Sequence, residues 1–503
     1  MGVASSRAEQ LDAEEFAGIY TVALAYLTYE KYQIAIVESD GFPALQQAFY
    51  RSQTTFNQTY DDPDLNDQLK QIRNASVTIY ADISALPSFA SKYPIESPVV
   101  QQFISWLGTP PSCSYLQTTA CLCLGNLSRS DATSTTLASN DAVLSPLFAI
   151  LSRGVPPPGF PAPPVTERPS AQLLHAVLGF LKNLAIPNVN KLPLADGLLH
   201  PPNRILPRLW TTTAIQPQVL FAAVSLTRLL LVANPISVKQ LCTPLPPDNS
   251  ETYRARDGPA CTNLHILLDA AERTDATHVK MEAGRALCNV IRALHSTEGI
   301  LDSTWTWAPA TSSSSLEQDT PDRDTALARF YAAHEISIVS TMGQILTQTY
   351  PTLQSEALFV LALMARSTEG GRVVIKVLEP AEVVKVLAKA VVGRDLSSEE
   401  LGEEIEASAS VEEGVDVDQE AKTVTPTVDT GLIDGLGLEP QGEAKALAGM
   451  ERIDRENGLV LVAEVVKGFS EHLAPHRRRL LERLLSEGGE LVLAARHKGQ
   501  HTG

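Results

Sequence analysis

The chain has 503 residues, 44% of them apolar and only 6% aromatic, with a formal net charge of −18. Phosphate neutralisation needs Lys and Arg in excess, so this balance excludes a general nucleic-acid binder and favours partners that carry basic segments. The apolar share is enough for a continuous core, which aliphatic and Ala side chains are expected to fill.

Residues 1–12 are expected to form a flexible start. Met1-Gly2-Val3-Ala4-Ser5-Ser6 fits the minimal N-myristoylation pattern at Gly2, but no polybasic cluster or nearby Cys supplies a second membrane anchor. The basic and apolar regions of a signal peptide are absent. An array of helical repeats is predicted over 13–393, with units at 13–60, 64–108, 114–153, 171–209, 215–242, 262–296 and 326–367, and a closing pair at 371–392. Asp40-Gly41-Phe42-Pro43 reads as a stop and restart, with Gly41 ending one helix and Pro43 opening the next. The seven-proline stretch 154–170, the polar stretch 243–259 and the Ser/Thr/Asp-rich stretch 303–323 read as loop insertions. Eleven carboxylates and no Lys or Arg between Asp395 and Glu420 make 394–445 an acidic disordered insertion. Helix returns over 446–495, where Leu480, Leu481, Leu484 and Leu485 form the apolar stripe of a terminal cap, and 496–503 is a flexible tail.

One helical phrase recurs along the array: Leu124-Gly125-Asn126-Leu127, Leu181-Lys182-Asn183-Leu184, Leu226-Thr227-Arg228-Leu229 and Leu287-Cys288-Asn289-Val290. Successive copies lie 57, 45 and 61 residues apart, and removing the insertions brings these steps near the roughly 40–47 residues of armadillo and HEAT repeats. No Val/Ile/Thr alternation of period two is sustained. The expected fold is all-α, an armadillo/HEAT-like right-handed superhelical solenoid.

In such a repeat the phrase-bearing helix lines the inner, concave face. Asn126, Asn183 and Asn289, with Arg228 in the same register, either offer side chains to a partner's backbone or tie neighbouring repeats together through buried hydrogen bonds. As a ladder they are read as a binding groove. Arg129, Arg228, Arg285 and Arg292 either present charge to acidic groups of a partner or bridge repeats. Ile186-Pro187 stops a helix, which leaves Asn188, Asn190 and Lys191 exposed at its end.

Catalytic signatures are absent: no Walker loop, no dinucleotide glycine motif, no zinc-protease motif, no nucleophile elbow. No cofactor or metal is implied, and the chain is read as no enzyme. Cys121, Cys123 and Cys288 lie in apolar helical phrases, as small buried hydrophobes of a reduced cytoplasmic setting. Val219 to Ile236, the most apolar stretch, is broken by Ser225, Thr227 and Arg228, so no membrane span is expected.

Ala120-Cys-Leu-Cys-Leu-Gly-Asn-Leu-Ser-Arg-Ser-Asp131 and, more specifically, Phe180-Leu-Lys-Asn-Leu-Ala-Ile-Pro-Asn-Val-Asn-Lys191 resemble the armadillo-repeat GDP-dissociation stimulators of small GTPases, the SmgGDS type. Gln354 to Ala365 and Val279 to Arg285 resemble further repeats of that family, and the likeness spans most of 15–390 and weakly 446–490. The resemblance implies a monomeric, noncatalytic partner of Rho- and Rap/Ras-type GTPases that promotes GDP release and shields prenylated polybasic C-termini, associating at most transiently with endomembranes. It also implies GTPase contacts at Asn126, Lys182, Asn183, Asn190 and Lys191. The Pro-rich insertions and the acidic stretch depart from the family pattern. The alternative is an armadillo scaffold holding an extended peptide in its groove. A nuclear-import receptor would pair a Trp with each ladder Asn, and Trp106, Trp210, Trp305 and Trp307 do not recur in that register.

Overall fold

Proline and small polar residues set the helix boundaries. Proline fills the first helical positions at Pro43, Pro63, Pro98, Pro217, Pro235 and Pro351, where its missing N–H costs nothing. Ser97, Ser130, Asn140, Ser170, Asn234 and Ser367 accept backbone N–H bonds as N-caps. The computed structural model describes residues 2–156, 163–200, 203–212, 215–243, 245, 261–296, 323–348, 350–401 and 443–500. Among them every regular element is a helix.

The chain divides into two compact units, 1–337 and 338–503. In the first, helices follow in trios: α1 (Gly2–Leu27), α2 (Glu30–Glu38), α3 (Phe42–Thr54); α4 (Pro63–Ala85), α5 (Pro87–Lys92), α6 (Pro98–Leu107); α7 (Ser114–Leu127), α8 (Asp131–Ala138), α9 (Asp141–Gly154). Then come α10 (Ala171–Leu184), α11 (Asn188–Leu198), α12 (Ile205–Thr211); α13 (Pro217–Leu231), α14 (Pro235–Cys242), α15 (Asn263–Arg273); α16 (Thr277–Ser296) and α17 (Arg323–Thr347), which carries the boundary between the units. The long first helices stack in order, α1 on α4, α4 on α7, α7 on α10, α10 on α13 and α13 on α16. Third helices form a parallel row, α6 on α9, α9 on α12 and α12 on α15. This neighbour-to-neighbour packing is the expected all-α solenoid.

The second unit holds α18 (Pro351–Met364), α19 (Thr368–Val377), α20 (Ala381–Val392), the short α21 (Ser398–Leu401), α22 (Glu443–Phe469) and α23 (Pro475–Gln500). α22 packs on α18, α19 and α20, and α23 covers α20 and α22. Leu480, Leu481 and Leu484 are buried beneath that cover, as the apolar stripe predicts.

Three expectations are corrected. Residues 2–12 are the opening turns of α1 rather than a flexible start, since Ala, Glu, Gln and Leu continue the helix that begins there. The stop and restart at 40–43 stands, with α2 ending before Gly41 and Pro43 in the first turn of α3, while Asp40 takes a left-handed φ of 57° and its carboxylate bonds Lys92 at 2.7 Å. The 243–259 insertion falls within a repeat, because α15 packs on α12 as the third helix of the α13–α14 trio. The acidic segment is ordered up to residue 401: Leu396 and Leu401 are buried, and Glu400 pairs with Arg394 at 3.1 Å and Arg483 at 2.8 Å. The rest of it, 402–442, lies outside the described residues, as do 157–162, 246–260, 303–322 and 501–503.

The low aromatic share does not spread evenly. Phe42, Phe49, Tyr80, Phe89, Phe103 and Trp106 form one buried cluster between the first two trios, with ring centroids 5.0–6.4 Å apart. Later repeats are filled mainly with Leu, Val, Ile and Ala, as the composition predicts, with single buried rings such as Phe180 and Trp210.

Candidate functional site: the ladder face of α7, α10, α13 and α16

The last turn of any helix leaves carbonyls without an intrahelical partner. The recurring polar residues answer that need across repeats. Asn126 donates to Ala81 O (2.9 Å) in the last turn of α4 and to Ser84 Oγ (3.0 Å). Asn183 donates to Gly125 O (2.9 Å) in the last turn of α7. Asn190 bonds Leu184 O (2.9 Å), closing α10, and the Lys191 ammonium reaches Val232 O (2.7 Å) at the end of α13, a favourable place for a cation on the helix dipole. Burial holds the Lys191 pKa below its ordinary value.

Asn190 and Lys191 are therefore buried, at 4% and 3% exposure, rather than exposed as expected. Only Asn188 of that group faces solvent, at the first position of α11. The amides of Asn126 and Asn183 are engaged between repeats, one of the two roles the sequence left open. Asn289 and Arg292 lie half-buried on α16.

What the ladder does present is charge and ring edges. Lys182 on α10 lies 5.6 Å from the Phe221 ring centroid on α13, and that ring meets His278 on α16 edge-on at 5.0 Å. Glu282 on α16 is buried and bonds both Arg228 across the repeat (2.6 Å) and Arg285 on its own helix (3.1 Å). Burial alone would raise the Glu282 pKa; the two guanidinium groups overcome it and hold the carboxyl below its usual value. For Lys182 burial dominates and lowers its pKa, with Glu282 opposing and Arg228 reinforcing. His175, one helical stretch back on α10, is likewise lowered, first by desolvation and then by Lys182. Arg129, in the turn just past α7, extends the row, its guanidinium donating to Asn126 Oδ1 at 3.2 Å.

The structure thus gathers Lys182 and Arg228 into one cluster and places Asn126 with Arg129 beside it. Asn188, Asn190 and Lys191 sit at the start of α11, where Asn190 and Lys191 are tied to the ends of α10 and α13. Phe221, His278 and Glu282 were missed in the sequence. A signal existed: His175 and Lys182, Phe221 and Arg228, His278 and Arg285 each stand seven residues apart, a ring two turns before a cation on three successive ladder helices.

A partly desolvated ammonium and several guanidinium groups beside exposed ring edges can bind carboxylates and aromatic surface; they form no nucleophile with a base. Among the described residues no group of His, Cys, Asp and Glu could hold a metal, and no helix is long and apolar enough to cross a membrane. All six cysteines are buried as free thiols, and burial pushes Cys123 up to about 12 and Cys261 up to about 11. No family model matches the chain, and no curated protein matches it.

Proposed function

We propose that the chain acts by binding alone, and that the ladder face of α7–α16 grips an acidic surface of a small GTPase of the Rho/Rap (Ras-like) type and promotes release of its GDP. The observation that carries this reading is a local reversal of charge. In a chain of net charge −18, this face carries Lys182, Arg228 and Arg285 about the buried carboxylate of Glu282, with Arg129 and Arg292 further along the ladder helices. A cationic strip with aromatic edges complements a surface rich in carboxylates and steers its approach. Exchange without chemistry requires tighter binding to the nucleotide-poor GTPase than to the loaded one, since differential affinity alone moves that equilibrium.

The amide geometry argues against the alternative of an extended peptide held along the Asn ladder, because Asn126 and Asn183 are already bonded to neighbouring helices. The cationic strip is also ill suited to a basic tail, so shielding of a prenylated polybasic C-terminus is the weaker branch of this proposal.

The test is release of fluorescent GDP from Rho- and Rap-family GTPases, with the natural chain and with the double variant Arg129→Glu, Lys182→Glu. Both side chains can be reversed without breaking the Arg228–Glu282–Arg285 cluster. The double variant is expected to lose stimulation at least about tenfold, as several complementary contacts turn repulsive, while its thermal unfolding stays within a few degrees of the natural chain. Equal stimulation by a folded double variant removes the ladder from the reading, and no release from any GTPase removes the exchange function.

A further inference from the structure

The second unit carries a separate concentration of positive charge around a cavity. The space, about 350 Å³, lies between the α18–α19 junction and the end of α22. Its wall holds Arg366 just before α19, Arg372 on α19, Lys467 near the end of α22 and His472 in the turn beyond it. Against these stands Glu464, the one carboxylate lining the cavity. Glu464 meets Arg366 at a loose 3.6 Å, with the guanidinium more than half exposed. Arg372 pairs with Glu369 on its own helix (3.1 Å) and is exposed to a similar degree. Exposed pairs of this kind are worth little and exchange readily for a stronger anion. Lys467 is exposed and closes no ion pair among the described residues.

Two packing features hold these cations together. The Phe469 ring lies directly on Gly371, leaving no room there for a side-chain carbon. That close seat brings Lys467 and His472 against the start of α19. Ser367, which caps α19 by accepting from Gly370 N (3.2 Å), and Thr368 line the same space, so the positive end of the α19 dipole adds to the field of the side chains. Arg forks suit the geometry of a phosphate, and Lys adds a mobile point charge.

We propose that this cavity binds a phosphate monoester or diphosphate, with Arg366, Arg372 and Lys467 as its cationic contacts. The site is independent of the ladder face and of the GTPase reading. Two sources of the same chemistry fit the open mouth: a small free polyphosphate, and a phosphorylated side chain on a peptide.

The experiment is isothermal titration of the full chain with inorganic pyrophosphate at physiological salt, and with a phosphoserine peptide and its unphosphorylated twin. Each is repeated with Arg366→Gln, Lys467→Gln, a double variant confined to exposed side chains and checked by thermal unfolding. Saturable pyrophosphate binding that weakens at least about tenfold in the folded double variant, as loss of charge-assisted contacts requires, supports the site. Tighter binding of the phosphopeptide than of pyrophosphate, with the twin silent, assigns the phosphate to a protein; the reverse order assigns it to a free anion. Absence of saturable binding to both phosphate probes, or binding that the double variant retains in full, overturns the proposal. Sulfate at equal concentration displacing pyrophosphate completely also overturns it, because the site would then answer only to charge.

Discussion

The first two trios and the α10–α16 ladder use opposite means to hold helices together. Between α3, α4 and α6 the contact is a buried aromatic cluster centred on Phe42 and Tyr80, with fully buried Trp106 packed on Phe49, Tyr80 and Phe103. Between α13 and α16 it includes an ion cluster in which buried Glu282 is held by two arginines. Aromatic burial is strong but tells a partner nothing, because every ring is covered. A charge cluster contributes less to stability, since desolvation opposes Coulomb attraction, yet it leaves cations at the surface where a partner can meet them. The difference teaches where stability and recognition are separated along one array.

That contrast can be broken at its aromatic end first. Trp106→Ala removes one of the two large buried tryptophans of this unit and is expected to cost about 3–5 kcal/mol, read as a lower urea midpoint for the unit spanning 1–337. The proposed GDP-release activity, measured on the fraction that remains folded, should be unchanged. Loss of activity without loss of stability would show that the aromatic end takes part in recognition.

At the ladder end, Glu282→Gln leaves Arg228 and Arg285 without their shared carboxylate. Arg228 keeps about a quarter of its side-chain exposure, so solvent softens the penalty to about 1–2 kcal/mol, below the cost for a fully buried pair. The ladder also gains a unit of positive charge, so partner association should speed up and become more salt-dependent. A slower association would place Glu282 itself against the partner.

The smallest effect sharpens a third arrangement, the buried polar cluster at α15–α17. His265 and His334 stack at 4.2 Å, and Thr262 Oγ1 sits 3.0 Å from one ring and 2.9 Å from the other. Burial first, then His265, holds the His334 pKa well below its ordinary value, so the native ring is neutral. The unfolded chain takes up a proton below about pH 6.5, and the folded one does not. Stability is therefore complete above that pH and falls as acid is added, by about 1.4 kcal/mol per pH unit at most for this group. Urea midpoints at pH 7.5 and 5.5 measure it. His334→Phe should flatten the difference, and an unchanged slope would assign the acid sensitivity elsewhere.

Much of the scaffold was legible in the amino-acid order. The recurring Leu-x-Asn-Leu phrase marks the helices that stack as a ladder, and Pro-x starts with Ser or Asn caps mark their boundaries, because these signals act within one turn. Which way Asn126 and Asn183 face was not legible. Their partners, Ala81 and Gly125, lie on the preceding ladder helix, and only packing reveals which orphan carbonyl stands within reach. Lys191 misled for the same reason: a Lys after a helix stop suggests solvent, and the carbonyl that buries it belongs to the next repeat. The acidic segment was read from composition, which has no means of seeing that Leu396 and Leu401 find a surface. The aromatic end escaped because a mean over the whole chain hides clustering.

The inter-repeat ties share one further property. Asn126 reaches back 45 residues to Ala81, Asn183 reaches back 58 to Gly125, and the span is 54 for Arg228 with Glu282 and 41 for Lys191 with Val232. Within this unit none of these bonds waits for a distant end of the chain. During synthesis, each new ladder helix leaves the ribosome with its template already in place behind it. The array can then grow in the order in which it is translated, with only its newest rung open to solvent at any moment.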